Sequence, residues 1–176
     1  MARSGEVLEN PATGERVVFR RTAAETGGDM LEYELTFRPA GFVAQNHLHP
    51  HQSEKHEVLE GSLGIVFDGR ERLLNAGDSV VVPPGTPHRL FPAGGGRVHA
   101  VFELRPALRT EELLETFVRL AQDGKVNSKG YPKLLPLAVI SRDFEDEGYA
   151  ARPPLSVQRA LLAPLAALGR ARGYGR

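Results

Sequence analysis

The sequence contains no cysteine among its 176 residues. It can therefore form no disulfide framework, no thiolate nucleophile and no Cys-ligated zinc or iron–sulfur centre, so any metal must be held by His, Asp or Glu. Net charge is also lacking, with 22 Lys+Arg against 22 Asp+Glu. That balance argues against a chain that binds nucleic acid or an anionic membrane through its overall charge. No apolar run approaches the roughly 18 residues of a bilayer-spanning helix. Met1 to Pro11 is polar and mixed in charge, without the hydrophobic stretch of a signal peptide. The expected compartment is the cytoplasm.

What is present suits a folded domain. Apolar residues make up 41% and charged residues 25%, enough to build a core at this length. The 19 glycines and 13 prolines favour many short strands joined by turns. In Leu31, Tyr33, Leu35 and Phe37 the apolar side chains recur every second position, with Glu32, Glu34, Thr36 and Arg38 between and after them. A period of two describes a strand with one buried face. Arg16 to Arg21, Leu63/Ile65/Phe67, Ser79 to Val82 and Val98/Ala100/Phe102/Leu104 read the same way. Asp68-Gly69 and Ala76-Gly77-Asp78 supply turns between them, and Gly94-Gly95-Gly96 reads as a hairpin turn. Closely spaced strands without intervening helices indicate an antiparallel barrel or jelly roll.

After Pro106 the apolar period lengthens. Thr110 is the expected N-cap of a helix whose stripe is Leu113, Leu114, Phe117, Val118 and Ala121, ended by Gly124. A second helix is expected over Pro136 to Glu147, and a third over Leu155 to Leu168, kinked or broken at Pro164. The plan is a β-domain over residues 1–106 followed by a helical extension over 107–176.

All six histidines fall between positions 47 and 99, four of them within His47–His56. On a strand His47 and His49 share a face, so both imidazoles can reach one ion. Glu54 can return a carboxylate to that ion after the Pro50 turn, and His88, held by Pro83-Pro84-Gly85-Thr86-Pro87, is the candidate fourth ligand. His51 offers a competing register, His49-x-His51, but suits a rim position better. His56 shares the parity of Glu54 and either faces the cavity or is a buried structural histidine. His99 lies opposite Val98 and Phe102 and is not expected to be a ligand.

These residues carry a resemblance. Gly41-x5-His47-x-His49-x4-Glu54-x6-Gly61 is similar to the first cupin motif, and Gly77-x5-Pro83-x-Gly85-x2-His88 to the second. Only 15 residues separate Gly61 from Gly77, the short spacing of bacterial members, and Pro92 stands where the second motif usually closes with Asn. The chain thus resembles a small single-domain cupin. The resemblance implies a double-stranded β-helix (a jelly-roll barrel) with the helical extension at its C-terminus. It further implies a divalent metal (Fe, Mn, Ni, Zn or Co) at His47, His49, Glu54 and His88. Such cupins include dioxygenases, isomerases, epimerases, decarboxylases and non-catalytic sugar or effector binders, and fold does not choose among them.

By parity Gln45 and Leu90 should face the same cavity as the ligands, with His56 a third wall. The four lysines, Lys55, Lys125, Lys129 and Lys133, are not placed there by parity. Such a pocket suits a neutral or weakly anionic, partly apolar small molecule. The first expectation is a metal-dependent oxygenase; the alternative is a non-catalytic small-ligand barrel. Gly148 to Arg176 holds five arginines and no acid, so the first 147 residues carry 17 basic against 22 acidic side chains. The basic tail, with Leu161, Leu162, Leu165 and Leu168, reads as a helix packed on the barrel or on a second subunit of a homodimer. Contact of that helix with an anionic membrane is the less favoured alternative, and no nucleic-acid partner is expected.

Overall fold

The computed structural model describes residues 2–37 and 45–175. Met1, Arg38, Gly41 and Arg176, used above, lie outside them. Two antiparallel sheets face each other. The first has six strands in the order β1 (Val7–Glu9), β2 (Arg16–Arg21), β3 (Leu31–Phe37), β10 (Val98–Arg105), β5 (Ser53–Glu60) and β8 (Ser79–Val82). The second has five, in the order β11 (Tyr149–Ala150), β4 (His47–Leu48), β9 (His88–Ala93), β6 (Ser62–Phe67) and β7 (Arg70–Asn75). The period-two reading of β3, β6 and β10 is reproduced: Leu31, Tyr33 and Phe37 are buried, as are Val98, Ala100, Phe102 and Leu104.

The core lies between the sheets. Leu31, Val58, Leu63, Ile65, Val98 and Ala100 are fully buried. Burial of each Leu, Ile or Val side chain stabilises by about 1.5–3 kcal/mol relative to exposure. Gly61 has φ +80°, and a Cβ there would lie 2.3 Å from the Arg97 carbonyl oxygen. This motif glycine is therefore required both by its left-handed backbone and by the close approach of the chain entering β10.

Three helices follow: α1 (Thr110–Gln122), α2 (Leu134–Asp143) and α3 (Leu155–Ala171). Leu113, Phe117 and Leu120 of α1 pack with Ile140 and Phe144, and Leu114 reaches the barrel core. The Glu111 carboxylate accepts a hydrogen bond from the Ala23 amide, tying the start of α1 to the barrel.

Four local expectations are corrected. Arg109, not Thr110, is the N-cap of α1: Thr110 is already the first helical residue, and its hydroxyl accepts from Gln52 Nε2 at 2.9 Å rather than from an amide of the first turn. The second helix runs over Leu134–Asp143, not Pro136 to Glu147; Phe144 is its C-cap and the Glu147 carboxylate is drawn to the Arg109 amide. Pro164 does not break α3, which is continuous over Leu155–Ala171. Ala160, whose carbonyl loses its partner, is solvent-exposed as is Pro164, so water can take that hydrogen bond while Ala166 and Gly169 pack against α2. Finally, Gly94-Gly95-Gly96 is not a hairpin turn. It carries the chain from β9 in one sheet to β10 in the other.

α3 packs on α2, with Leu162, Leu165 and Ala166 against Ala138 and Val139. Arg159 pairs with Glu145 and Arg170 with Asp143, so two of the tail arginines meet acids of their own chain. No helix among the described residues is long and apolar enough to cross a membrane.

Candidate metal centre

The site forms where the two sheets approach. β5 alternates outward Ser53, Lys55 and Glu57 with inward Glu54, His56 and Val58. Two of those three inward positions are ionisable, in a place where apolar side chains are the rule. The facing sheet supplies histidines: His47 and His88 are direct cross-strand neighbours on β4 and β9, and His49 follows β4 by one residue. Gly85, in the stiff turn before His88, has φ +73° and donates its amide to the His49 carbonyl at 2.7 Å. That bond fixes the two histidine-bearing segments relative to each other.

His47, His49, Glu54 and His88 each offer a ligand atom, and these atoms lie within 4.8 Å of one another. Glu54 Oε2 is the hub, 2.9 Å from His88 Nε2 and 3.4 Å from His49 Nε2. Ring centroids are 4.3 Å apart for His47 and His88, 5.0 Å for His47 and His49, and 5.4 Å for His49 and His88. Each imidazole places Nδ1 on a backbone carbonyl: His47 on Gln45 at 2.9 Å, His88 on Thr86 at 3.0 Å, and His49 on Glu147 at 2.5 Å. With Nδ1–H donating there, Nε2 is the nitrogen left to coordinate in all three, and that of His88 is hydrogen-bonded to Glu54 Oε2. His49 Nε2 is buried and has no hydrogen-bond partner. A divalent transition ion fits this donor set, which would leave it with net charge near +1 and positions open for a ligand.

Electrostatics agree with that fit. Burial, followed by the neighbouring His88 and His49, pushes His47 down to about 4, so it is neutral near pH 7 and ready to coordinate. Burial alone would raise Glu54, yet the surrounding imidazoles, His56 and His49 foremost, hold it well below the usual carboxylate range. For His49 burial is again the largest effect and lowers its pKa; Glu54, the Glu147 carbonyl and Gln52 outweigh it and raise the pKa. The metal-free site therefore holds a carboxylate beside an imidazole whose proton affinity is raised.

Of the other expected site residues, His56 is fully buried, with Nε2 3.3 Å from Glu54 Oε2 and its ring edge-on to Phe102 at 4.7 Å. Leu90 is buried in the barrel core. Gln45 is exposed and donates from Nε2 to the Tyr131 hydroxyl at 2.6 Å. His51 is exposed at the rim, 3.7 Å from Asp146, and His99 bonds Glu34 at 2.6 Å. Sequence reasoning treated Tyr33 only as a core residue. It stacks on Phe102 at 5.3 Å, and burial first, then the Glu54 charge, raises its pKa well above that of a free phenol. Only the register Tyr33–Phe102–His56 across β3, β10 and β5, which the fold sets, aligns it with the site.

Residues 33–102 match the cupin domain family model. The barrel is a cupin domain. A 94-residue stretch is 35% identical to quercetin 2,3-dioxygenase of Bacillus subtilis, covering 50% of this chain and 26% of that protein. The chain thus spans about a quarter of that relative. Among solved structures, a predicted oxalate decarboxylase from Thermotoga maritima superposes with TM-score 0.51 at 17% identity, over 60% of this chain and 98% of that one. An RmlC-like cupin from Shewanella frigidimarina gives TM-score 0.49 at 21% identity, over 63% and 92% of the two chains. The three-histidine, one-glutamate cluster lies inside the matched cupin segment.

Proposed function

We propose that this cupin holds one divalent transition metal at His47, His49, Glu54 and His88 and acts as a metal-dependent oxygenase on a small, partly apolar molecule. The observation that carries the reading is the convergence of Nε2 atoms and Glu54 Oε2, each imidazole oriented through its other nitrogen. The 35% identity to a segment of quercetin 2,3-dioxygenase favours oxygenase chemistry over the other cupin activities. A bound ion would supply a Lewis-acid centre and, as iron or manganese, redox capacity.

The chain's own residues then divide the work. Glu54, held ionised, can accept a proton from an acidic enolic or phenolic hydroxyl brought beside it. The Tyr33 phenol, held un-ionised, is a neutral donor. The His56 Nδ1 atom is buried without a hydrogen-bond partner and is free to orient a polar ligand atom. Leu90 and Phe102 are buried apolar wall, and no lysine has been placed with them to favour a polyphosphate. The reading extends to a cytoplasmic homodimer with no nucleic-acid or membrane partner.

Oxygen uptake by the iron- or manganese-loaded protein tests it. With quercetin or a related enolic molecule, uptake should be substrate-dependent and lost in Glu54→Gln, and 18O from labelled O2 should enter the product. Sugar phosphates should support none. Saturable binding of the same molecules without oxygen uptake would instead establish the non-catalytic barrel.

A further inference from the structure

Two of the three histidines take their orienting carbonyl from two residues upstream on the same segment: Gln45 for His47 and Thr86 for His88. His49 does not. Its Nδ1 meets the carbonyl of Glu147, 98 positions away beyond α2, at 2.5 Å. We propose that the 143–150 segment of the helical extension is a positioning element of the metal centre, delivering the Glu147 carbonyl that sets His49 for coordination. The proposal rests on the metal-site reading above.

The segment is built to stay where it is. Tyr149 and Ala150 form β11, which pairs with Leu48 and His47 of β4, and the Ala151 amide donates to the Asn46 carbonyl at 3.0 Å. The Glu147 carboxylate, 3% exposed with its residue, accepts from the Arg109 amide at 3.0 Å. Arg109 also donates from Nη1 to the Asp143 carbonyl at 3.0 Å and lies over the Phe144 ring at 4.6 Å. The start of α1 is in turn gripped by Gln52, whose Nε2 donates to the Pro106 and Ala107 carbonyls and to the Thr110 hydroxyl. Gln52 stands between His49 and Glu54 in sequence, so the loop carrying two ligands and the helices carrying the carbonyl are fastened together. Gly148 completes the fit: a Cβ there would meet the Leu48 carbonyl oxygen at 3.2 Å and His49 Nδ1 at 3.3 Å.

A carbonyl that accepts Nδ1–H fixes the tautomer and the ring plane, leaving Nε2 bare and aimed. Losing such a partner weakens metal binding by about 10–100-fold. This orientation is remote in sequence only for His49, so displacement of the extension should loosen one ligand of the four while the others stay set.

Zinc affinity measured by competition with a chromophoric chelator tests the proposal, together with long-range 1H–15N spectra of the histidine rings in the zinc-loaded protein. Glu147→Ala, which frees the segment from the Arg109 amide, should weaken zinc binding by about tenfold or more. Glu147→Gln, which keeps the acceptor oxygen, should restore it. Gly148→Val should weaken it at least as much, and its spectrum should lose the single Nδ1–H tautomer at His49 while His47 and His88 keep theirs. A wild type that binds zinc, with both weakening variants folded and at wild-type affinity and tautomer, overturns the proposal and leaves the metal site standing. A wild type that takes up no zinc overturns the site reading and this proposal together.

Discussion

Removing the metal with a chelator is expected to lower the melting temperature by about 8–16 °C, and His88→Ala is expected to melt at or below that lower value, unchanged by chelator. An ion present at about a thousand times its dissociation constant stabilises the folded state by about 4 kcal/mol, and each kcal/mol moves the midpoint of a chain this size by about 2–4 °C. The unfolded chain cannot reproduce the site. Glu54 arrives on β5 of one sheet, whereas His47 and His88 come from β4 and β9 of the other, with His49 beside β4. Binding therefore couples the two sheets, and its free energy appears as folding free energy. His88 is fully buried and bonds Glu54 at 2.9 Å, so its loss removes a ligand and also leaves the carboxylate short of a partner. Differential scanning calorimetry of both proteins, with and without chelator, reads this directly. Equal melting of the wild type in both conditions, with metal supplied in excess beforehand, would contradict it.

The second large effect is on pH. Metal affinity should rise with pH, by about tenfold per unit for each proton displaced, until the site's imidazoles are deprotonated. The sign follows from the site. His47 is already neutral, its pKa pushed down to about 4, and Glu54 is already ionised, so the protons that must leave are those of the imidazoles beside Glu54, including His49, whose pKa Glu54 and its neighbours raise. Titration calorimetry in buffers of different ionisation enthalpy should find protons released as the ion binds. The metal-free protein behaves differently. The unfolded chain protonates His47 near its ordinary 6.5 while the folded chain resists to about 4, so this contribution to stability is lost as pH falls across that interval. Glu54 acts in the same direction: its contribution is present above the ordinary carboxylate pKa and is lost as pH falls through the depressed folded value. His49 opposes them, contributing fully below 6.5 and losing its contribution as pH rises through its raised value. Apo protein should therefore be acid-labile and lose some stability as pH rises through the raised His49 value, whereas added metal should remove that loss. An affinity that fell with rising pH, or uptake without proton release, would contradict this.

The convergence of the candidate ligands was legible because their placement is a matter of parity and short spacing. His47 and His49 share a face, Glu54 and His56 share another, and the stiff turn before His88 carries it to the cross-strand position beside His47. The strand pattern from Arg16 to Leu104 was legible for the same reason, since alternation and burial coincide along β3, β6 and β10. Contacts between distant segments were not. Thr110 has the chemistry of an N-cap, but its hydroxyl belongs to Gln52, 58 positions upstream. Pro164 carries a helix-breaking signature that an exposed carbonyl and the packing on α2 absorb. The triple glycine reads as a hairpin only until β9 and β10 prove to lie in different sheets. The Glu147 carbonyl could not be read at all, because every residue has one and only the fold brings this one to His49. Even the balanced net charge conceals local pairing, with Arg159 on Glu145 and Arg170 on Asp143.

The central claim is that His47, His49, Glu54 and His88 together hold one metal ion. Metal content of the purified wild type beside Glu54→Gln and His88→Ala, each incubated with a divalent ion and desalted, addresses it most directly. About one ion per chain in the wild type and nearly none in either variant is the predicted result. Equal content in all three folded proteins would contradict it.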